Sequence, residues 1–368
     1  MKVGIDTFGC DHAQSGLGAY LFYFISNLNQ TDNLEFELFG AEIDRYTYGV
    51  DKGFPFTAVN LGENLRKERL FHKYAIGAFI KKNQYDAVLY PAAEKVIPVS
   101  FKNHIGIAVV NSVISSCLKN ENYFYRHQLK KGLSRVQIII APTEYIKKDL
   151  VDCGIKGSKI KVVNHGIDHK LFFPLLDIED DFIDVKPFSI KRPYFIYGSR
   201  LSGPEKKHIE LIEAFNLFKK KTGLPHRLVL AGSDGDFSKK VHEQAISSEF
   251  SSDIFCTGYF PHESFARLYA GAEACVFPSV IEGVGLPILE AMACGVPVLC
   301  SDAGSLPEIG GSAAVYFNSD NIEEIAGCMQ KIAEDKDFRE KKIAEGLTWS
   351  SKFAWDKTVE KTIKYLVQ

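Results

Sequence analysis

The chain has 368 residues, a length that suits two α/β domains better than one ordinary core. It is 46% hydrophobic and 24% charged, as globular proteins are, and a formal net charge of −2 gives no general basic field for nucleic acid. Its eight cysteines form no C-x-x-C pair, which favours buried thiols in a reducing compartment over disulfides or zinc. Neither a signal peptide nor a membrane span is expected, so we predict a cytoplasmic protein.

The first half of the chain alternates strand and helix patterns. Lys2–Asp6 predicts a strand, a loop containing Gly16 and Gly18 follows, and a helix is predicted over residues 19–28. Thr143 is a plausible N-cap for a helix that ends near Leu150. Further strands are predicted over residues 34–39, 87–90, 105–110, 137–141 and 159–163. This alternation is typical of a parallel sheet covered by helices on both faces.

A second run of the same kind begins near residue 192. Before it, residues 171–191 are acidic, contain Pro174 and Pro187 and show no sustained period, so we interpret them as an interdomain linker. Strands are then predicted over residues 194–197, 227–231, 254–257, 296–300 and 314–317, and helices over residues 207–221 and 352–367. The sequence therefore predicts an α/β fold of two doubly wound domains. Ligands of such folds bind at the carboxyl ends of the strands, here expected in an interdomain cleft.

The segment Glu282–Glu290 is the most informative part of the chain. Gly283 and Gly285 permit a tight loop after a buried strand, and Pro287 fits the first turn of a helix that ends near Gly295. A glycine loop at a helix N-terminus directs backbone N–H groups and the positive end of the helix dipole at an anion. The two glutamates add hydrogen-bond acceptors for hydroxyl groups. A nucleotide sugar carries both kinds of group.

The long run around this segment resembles the signature of family 4 glycosyltransferases, which are retaining, nucleotide-sugar-dependent enzymes of the GT-B fold. The resemblance covers nearly the whole chain. The segments that match the family are Phe277–Val298, Ser305–Ile309, Gly198–Arg200, Pro204–Lys206, Leu211–Phe215, Thr143–Tyr145 and Asn164–Asp168. Some polysaccharide and O-antigen mannosyltransferases are similar in their opening Gly-x-Gly loop and C-terminal half. The family's last helix packs on its first domain. The resemblance therefore implies an N-terminal, acceptor-side domain of residues 1–170 plus 351–368 and a nucleotide-sugar-binding domain of residues 192–350.

The resemblance also implies roles for the charged residues of the second half. Arg200 and Lys206 match the clamp that stabilises the diphosphate leaving group, with Lys206 opening a helix. Glu290 matches the acceptor for the ribose hydroxyls. Glu282 matches the glutamate beside the donor sugar, where an electrostatic role is expected and a nucleophilic one is not.

Backbone groups complete the site that the resemblance implies. The N–H groups of Val284, Gly285 and Leu286, next to Gly283, are expected to hold phosphate or sugar oxygens. Gly16 and Gly18 are expected in a loop that meets the donor diphosphate and the acceptor. The third glycine of a dinucleotide fingerprint is missing, which argues against NAD.

One position departs from the family pattern. Where family members usually carry His, often followed by Asp, this chain has Asn111 and Ser112. Asn111 can keep a hydrogen bond to the donor sugar, but it cannot titrate near neutral pH. Alternatively, the donor or the acceptor differs from that of the family.

Two further patterns allow alternatives. Asp234-Gly-Asp236 has the spacing of a metal-binding motif, but Asp and Gly favour a turn, so neither a metal nor another cofactor is expected. The stretch Arg66–Lys82 mixes basic and apolar residues. It is either a core helix with a solvated basic edge or a helix that lies on an anionic membrane.

Together these observations predict a retaining, metal-independent transferase that moves a sugar from a GDP- or UDP-sugar donor to a hydroxyl of a glycan or lipid-linked acceptor. The predicted location is the cytoplasm, with a possible peripheral contact at the inner face of the membrane, and no nucleic-acid partner is expected. Two alternatives remain: a nucleotide-sugar epimerase of the same fold, or a non-catalytic nucleotide-sugar-binding subunit.

Overall fold

The computed structural model describes residues 1–13, 15–29, 33–49, 53–62, 64–175 and 181–366. Residues 176–180 of the predicted linker and residues 367 and 368 of the predicted last helix lie outside the described residues. The chain divides into two compact units. Unit 1 comprises residues 1–166 and 354–368, and unit 2 comprises residues 167–353.

Unit 1 is built on a parallel sheet. Its strands are β1 Lys2–Asp6, β2 Glu35–Gly40, β3 Phe56–Ala58, β4 Ala87–Tyr90, β5 Ile105–Val109, β6 Ile138–Ala141 and β7 Ile160–Val162. The strand order is β3-β2-β1-β4-β5-β6-β7, and all of the neighbouring pairs are parallel. The helices between the strands are α1 Gly16–Ser26, α2 Glu42–Tyr48, α3 Leu65–Leu70, α4 Ile76–Asn83, α5 Ile114–Asn120, α6 Tyr123–Arg135 and α7 Glu144–Asp152.

The sheet of unit 1 is buried on both faces because its strands contain few polar residues. On one face, Val3 and Ile5 pack with Leu21 and Phe24 of α1. On the other face, a separate cluster joins the sheet to α4, α6 and α7 through Val88, Ala108, Ile139, Ile80, Leu129 and Ile146. This two-sided burial is the reason why the strands are apolar runs without polar alternation.

Unit 2 repeats the plan with a six-stranded parallel sheet. Its strands are β10 Tyr194–Gly198, β11 Arg227–Ala231, β12 Ile254–Gly258, β13 Ala274–Phe277, β14 Val298–Ser301 and β15 Val315–Phe317. The order is β12-β11-β10-β13-β14-β15. The helices are α8 His208–Thr222, α9 Ser238–Ser247, α10 His262–Ala270, α11 Leu286–Ala293, α12 Leu306–Gly310, α13 Ile322–Glu334 and α14 Lys336–Ser350.

The structure corrects the prediction of a linker without regular structure over residues 171–191. Within this stretch, β8 Phe182–Val185 and β9 Phe188–Lys191 form an antiparallel hairpin. Ile183, Val185 and Ile190 point into the core of unit 2, and the side chain of Ile183 approaches Gly271 so closely that a Cβ there would lie 2.4 Å from it. The alternation of apolar and polar residues on these strands is short, and the two prolines beside them obscure it.

The last helix, α15 Trp355–Leu366, belongs to unit 1 although it follows unit 2 in the chain. The ring of Trp355 stacks on Tyr23 of α1 with centroids 5.5 Å apart. The hydroxyl of Thr358 donates a hydrogen bond to the carbonyl oxygen of Asn164 at 2.8 Å. Val359 and Leu366 are buried in the same cluster.

Each sheet has one point at which the strand order reverses. In unit 1 this point lies between β1 and β4, and in unit 2 it lies between β10 and β13. At such a point the two following loops leave in opposite directions and open a crevice at the carboxyl ends of the strands, where ligands of open α/β sheets bind. The residues of interest are therefore those that follow β1, β4, β10 and β13.

Candidate active site

The loop after β13 leads directly into α11. Gly285 has φ +74° at the N-cap, and its α-carbon faces Leu306, whose side chain would lie 2.7 Å from a Cβ. Pro287 occupies the first turn, as the sequence predicts. Because the first N–H groups of a helix have no intrahelical acceptor, Leu286 and its neighbours present donors at the carboxyl edge of the sheet.

Lys206 and Glu282 meet at this edge. The Lys206 ammonium lies 2.6 Å from Oε1 of Glu282, and both side chains are mostly buried. The backbone around them is also tied together: the Ser305 hydroxyl donates to the Glu282 carbonyl oxygen at 2.9 Å, and the Tyr197 hydroxyl donates to that of Lys206 at 3.0 Å. The structure therefore places one cation and one carboxylate side by side at the switch point of unit 2.

The loop after β10 differs from its prediction in one respect. Lys206 does not open the helix, because it ends a short 3₁₀ turn over Pro204–Lys206, and α8 begins only at His208. Between them Lys207 is left-handed with φ +57°, a conformation that interrupts a right-handed helix. The Lys207 ammonium is paired with Glu210, at 2.7 Å.

Arg200 lies on the same loop, but its contacts point elsewhere. Its side chain is exposed, and Nε makes one long hydrogen bond of 3.4 Å to the backbone oxygen of Asp234. The guanidinium therefore has most of its five donors available for a ligand. The predicted turn around Asp234 packs tightly on the Arg200 loop, since a Cβ on Gly235 would lie 2.8 Å from the Leu201 carbonyl oxygen.

Glu290 lies on α11 and pairs with a residue that the sequence analysis missed. Its Oε1 is 3.0 Å from Nε2 of His262, the first residue of α10. Burial lowers the pKa of His262, but the hydrogen bond and the charge of Glu290 outweigh it and raise the pKa above its usual value. The contact with Glu290 therefore favours the charged form of His262. The signal for it was weak, because it stands in a turn-like segment after β12.

In unit 1, Gly16 and Gly18 occupy the first turn of α1 and not a preceding loop, which corrects the predicted start of this helix. Ser15 is the N-cap, and its hydroxyl accepts from the Gly18 amide at 3.4 Å. A Cβ on Gly18 would lie 2.2 Å from the Cys10 carbonyl oxygen, whereas a Cβ on Gly16 would meet nothing within 4 Å. Gly18 is thus required for packing, and Gly16 is not.

A cavity of about 390 Å³ opens at the carboxyl ends of β1 and β2. Its walls carry Asp11, His12, Asp44, Glu68 and Lys95. Nδ1 of His12 is 2.6 Å from Oδ1 of Asp44, and Lys95 is paired with Asp11. Burial raises the pKa of both Asp44 and Glu68. The cavity therefore offers a dense set of hydrogen-bond donors and acceptors in which acidic groups outnumber basic ones.

Asn111 follows β5, and both polar atoms of its buried side chain have no partner among the described residues. Its backbone N–H donates to Oε1 of Glu94 at 3.1 Å, and the Ser112 hydroxyl donates to the same oxygen at 3.0 Å. Glu94 stands on the loop after β4 and was not singled out from the sequence. Burial raises its pKa to about 7.

Two family models match this chain. "Glycosyltransferase Family 4" matches residues 15–171, and "Glycosyl transferases group 1" matches residues 179–349. Together they account for both units. The chain belongs to glycosyltransferase family 4. The resemblance seen in the sequence is thereby confirmed, including its similarity to mannosyltransferases.

Curated relatives of this family 4 chain include two mannosyltransferases of Escherichia coli. "O-antigen chain mannosyltransferase B" is 35% identical over 44% of this chain and 42% of its own length. "Serotype-specific mannosyltransferase WbdA" is 28% identical over 67% of this chain and 30% of its own length. The matched regions thus span less than half of these relatives.

Among solved structures, Anabaena HepE in complex with UDP and glucose aligns with a TM-score of 0.77 at 17% sequence identity. The alignment covers 100% of the family 4 chain described here and 99% of HepE. At this identity the likeness shows the fold alone. The predicted GT-B fold of two Rossmann-like domains is confirmed.

The rest of the described structure adds no metal centre to this family 4 chain. Across the described ranges, no three His, Cys, Asp or Glu side chains cluster closely enough to hold a metal ion. Asp234 of the Asp-Gly-Asp motif pairs instead with His242, with 2.9 Å between Oδ1 and Nε2. None of the helices in these ranges is both long and apolar enough to cross a bilayer.

Proposed function

We propose that this chain transfers a sugar from a nucleoside diphosphate sugar to a hydroxyl group of a glycan or glycolipid acceptor. The observation that carries the proposal is the Lys206–Glu282 pair beside the first amides of α11 at the switch point of unit 2. A diphosphate against these amides gains from the helix dipole and from the ammonium. Because two curated relatives are named mannosyltransferases, we propose mannose as the sugar, carried by GDP or UDP.

The proposed reaction needs stabilisation of a leaving group above all. As the bond between the anomeric carbon and the phosphate oxygen breaks, negative charge grows on the diphosphate. Arg200, Lys206 and the amides of residues 283–286 are the groups that we assign to this charge. The acceptor oxygen then bonds to the anomeric carbon on the face that the diphosphate leaves. Because the acceptor attacks on this face, the proposed reaction retains configuration, and the proton of the acceptor hydroxyl moves to a phosphate oxygen of the leaving diphosphate. The cationic groups named above take the place of a metal ion in this proposal.

Two carboxylates orient the donor in this proposal. Glu290 accepts hydrogen bonds from the ribose hydroxyls, and the contact with His262 holds it in place. Glu282 accepts hydrogen bonds from hydroxyls of the sugar. Because its charge is already balanced by Lys206, Glu282 can stand near a diphosphate without strong repulsion.

For the acceptor, we propose the cavity at the ends of β1 and β2. Its alternating acidic and basic groups suit a polyhydroxylated ligand, since each hydroxyl can both donate and accept a hydrogen bond. His12 and Asp44, which are already paired, are the central pair of this site.

We further propose that unit 1 meets an anionic membrane through a basic–aromatic patch. The patch consists of the exposed residues Leu70, Tyr74, Tyr123 and Phe124 with the basic residues Arg66, Lys67 and Lys73 around them. Arg69 ties the two helices of the patch together, because it pairs with Glu121 and lies 3.4 Å from the centroid of the Tyr125 ring. Ile76 and Ile80 are buried on the opposite side. The burial of Ile76 and Ile80 fits the core alternative for Arg66–Lys82, and the exposed side fits the membrane contact that we propose.

Co-sedimentation with vesicles tests the patch. We expect binding to phosphatidylglycerol vesicles at low salt that weakens at high salt, and weaker binding when Tyr123 and Phe124 are both changed to Ser. Changing Ile246, which is exposed in unit 2, to Ser is the matched control. Equal binding to neutral and anionic vesicles would contradict the role of charge.

A thermal-shift screen with GDP, UDP, GDP-mannose and UDP-glucose tests the donor, because a ligand that binds only the folded chain raises Tm by mass action. We expect one of the two nucleotides and its sugar to stabilise the chain with EDTA present. Proton NMR of the product then gives the anomeric configuration. Conversion of donor in the absence of any acceptor would indicate an epimerase, and binding without turnover would indicate a non-catalytic subunit.

A further inference from the structure

Two buried polar side chains near the switch point of unit 1, those of Glu94 and Asn111, contain atoms that have no hydrogen-bond partner among the described residues. Glu94 is 5% exposed and Asn111 is 9% exposed. Oε2 of Glu94 and both amide atoms of Asn111 make no hydrogen bond within the described part of the chain. Buried polar groups in native proteins almost always have a partner, so three such atoms at one place require an explanation.

The surrounding contacts hold Glu94 firmly and leave one oxygen unused. Oε1 accepts from the backbone N–H of Asn111 and from the Ser112 hydroxyl, and the Tyr125 hydroxyl donates to the Glu94 carbonyl oxygen at 3.2 Å. The same loop packs against the loop after β1, since a Cβ on Gly9 would lie 3.1 Å from Ala92. The unused oxygen is therefore a fixed acceptor, held in place by both of the neighbouring strands.

The location agrees with a ligand-binding role. Glu94 follows β4 and Asn111 follows β5, so both stand at the carboxyl edge of the sheet, beside the point where the strand order reverses. A free carboxylate oxygen together with a free carboxamide supplies acceptors and donors at one spot. A sugar hydroxyl complements them, because it donates one hydrogen bond and accepts others.

We propose that Glu94 is a further substrate-binding residue, whose Oε2 accepts a hydrogen bond from a sugar hydroxyl that Asn111 also contacts. This inference rests on the proposed function, because the hydroxyl belongs either to the sugar of the donor or to the acceptor. Because Oε1 already accepts two hydrogen bonds, protonation would place the proton on Oε2 and turn this oxygen from an acceptor into a donor, so this contact needs the ionised carboxylate.

The ionisation of Glu94 makes the binding depend on pH. Burial raises its pKa to about 7, although the hydrogen bonds from Ser112 and Asn111 and the charge of Lys95 act in the opposite direction. The other titratable groups that face it are Cys10 on the loop after β1, Cys117 on α5, and Tyr125. Burial raises the pKa of each of these three groups, so they stay neutral where Glu94 titrates.

Calorimetric titrations at pH 6 and pH 8 test the proposal. The ligands are GDP, GDP-mannose, and methyl α-mannoside added in the presence of GDP. If UDP is the nucleotide that binds, the corresponding UDP ligands are used. A site that must be ionised with a midpoint near 7 is about tenfold more populated at pH 8 than at pH 6. We therefore expect about tenfold tighter binding of one sugar probe at pH 8. If the affinity for GDP-mannose depends on pH, the hydroxyl belongs to the donor. If the affinity for methyl α-mannoside depends on pH, the hydroxyl belongs to the acceptor.

GDP alone is the internal control, because it carries no sugar hydroxyl that Glu94 could bind. In Glu94→Gln, the pH dependence of the sugar probe is expected to fall below twofold while GDP binds as before. In Ser112→Ala, the ionised carboxylate loses a hydrogen bond, so the midpoint moves to higher pH and the affinity recovers at pH 9. A purely structural role would lower affinity equally at every pH.

Two results would overturn the inference alone: nucleotide binding with sugar probes that show no pH dependence, or a Glu94→Gln variant that keeps the tenfold change. If neither GDP nor UDP binds at any pH, the proposed function fails and the inference fails with it. Binding of the bare nucleotide therefore distinguishes the two failures.

Discussion

At the switch point of unit 2 two pairs of ionisable side chains contact one another, whereas at that of unit 1 two buried side chains contain polar atoms without a partner among the described residues. Lys206 is paired with Glu282, and His262 with Glu290, in places that solvent can still reach. Glu94 and Asn111 are almost fully covered and unsatisfied. Unit 2 thus pairs its charges before any ligand binds, while unit 1 holds polar atoms whose lack of a partner costs stability that the proposed ligand would offset.

The largest effect is expected from Lys206→Met, which keeps the aliphatic stem but removes the charge. Loss of one preorganised group that stabilises a leaving group typically lowers kcat by about 10²–10³-fold. We expect a decrease of this order in kcat for transfer from the donor. Lys221→Met is the matched control, because Lys221 is exposed and pairs with Glu323 in the same unit. If the two variants have equal activity, Lys206 does not stabilise the leaving group.

The cost of the unpaired carboxylate is expected to appear as a pH-dependent gain in stability on Glu94→Gln. The pKa of Glu94 is 4.5 in its ordinary state and about 7 when folded. A group whose folded pKa is raised loses its contribution to stability as pH rises from the first value through the second. The variant should therefore be more stable than the parent at pH 8, by on the order of 3 kcal/mol, and no more stable at pH 4.5. Urea unfolding at both pH values measures this, and an equal difference at both would contradict it.

A third test asks whether packing requires a glycine at each of two positions at the start of α1. Gly18→Ala should destabilise unit 1 by about 2–3 kcal/mol, because its Cβ meets the backbone oxygen of Cys10 and neither atom can easily move. Gly16→Ala has open space and should change stability by less than about 1 kcal/mol. Urea unfolding of the two variants compares them directly. Similar stabilities would show that the loop shifts to accommodate Gly18→Ala.

The smallest effect is expected from His262→Gln. Because the pKa of His262 is raised, its charge supports Glu290 below that pKa and is lost as pH rises through it. The variant should raise KM for the donor by about threefold to tenfold below the pKa of the parent histidine, and by less than about twofold well above it, where the parent histidine is also neutral. His242→Gln, which affects only the pair with Asp234, is the control. A rise in KM that is the same at both pH values would show that the charge is unimportant.

The sequence predicts some of these features far better than others. Thr143 is the predicted N-cap, and its hydroxyl accepts from the Ile146 amide at 3.2 Å. Pro287 and Gly285 lie at the start of α11 as predicted, because their positions follow from the local backbone preferences of proline and glycine. The Lys206–Glu282 contact joins residues far apart in sequence, so the motifs suggest both residues but not that they pair.

Other features have no local signal. Glu94 stands in a loop with no motif, and only the fold shows that it is buried beside Asn111. The hairpin of β8 and β9 is hidden by its two prolines and its short strands. The start of α1 was placed too late because Gly16 and Gly18 are poor helix formers, yet the Ser15 cap and the contact with Cys10 favour the helix there.

The position of α15 has a consequence for biosynthesis. Trp355 and Leu366 complete a cluster whose other members, such as Tyr20 and Phe24, emerge from the ribosome more than three hundred codons earlier in translation. Unit 2, whose segments are contiguous, can finish folding while unit 1 still presents an uncovered apolar surface to chaperones. A stop codon just before Trp355 would therefore be expected to damage the half of the protein that is made first.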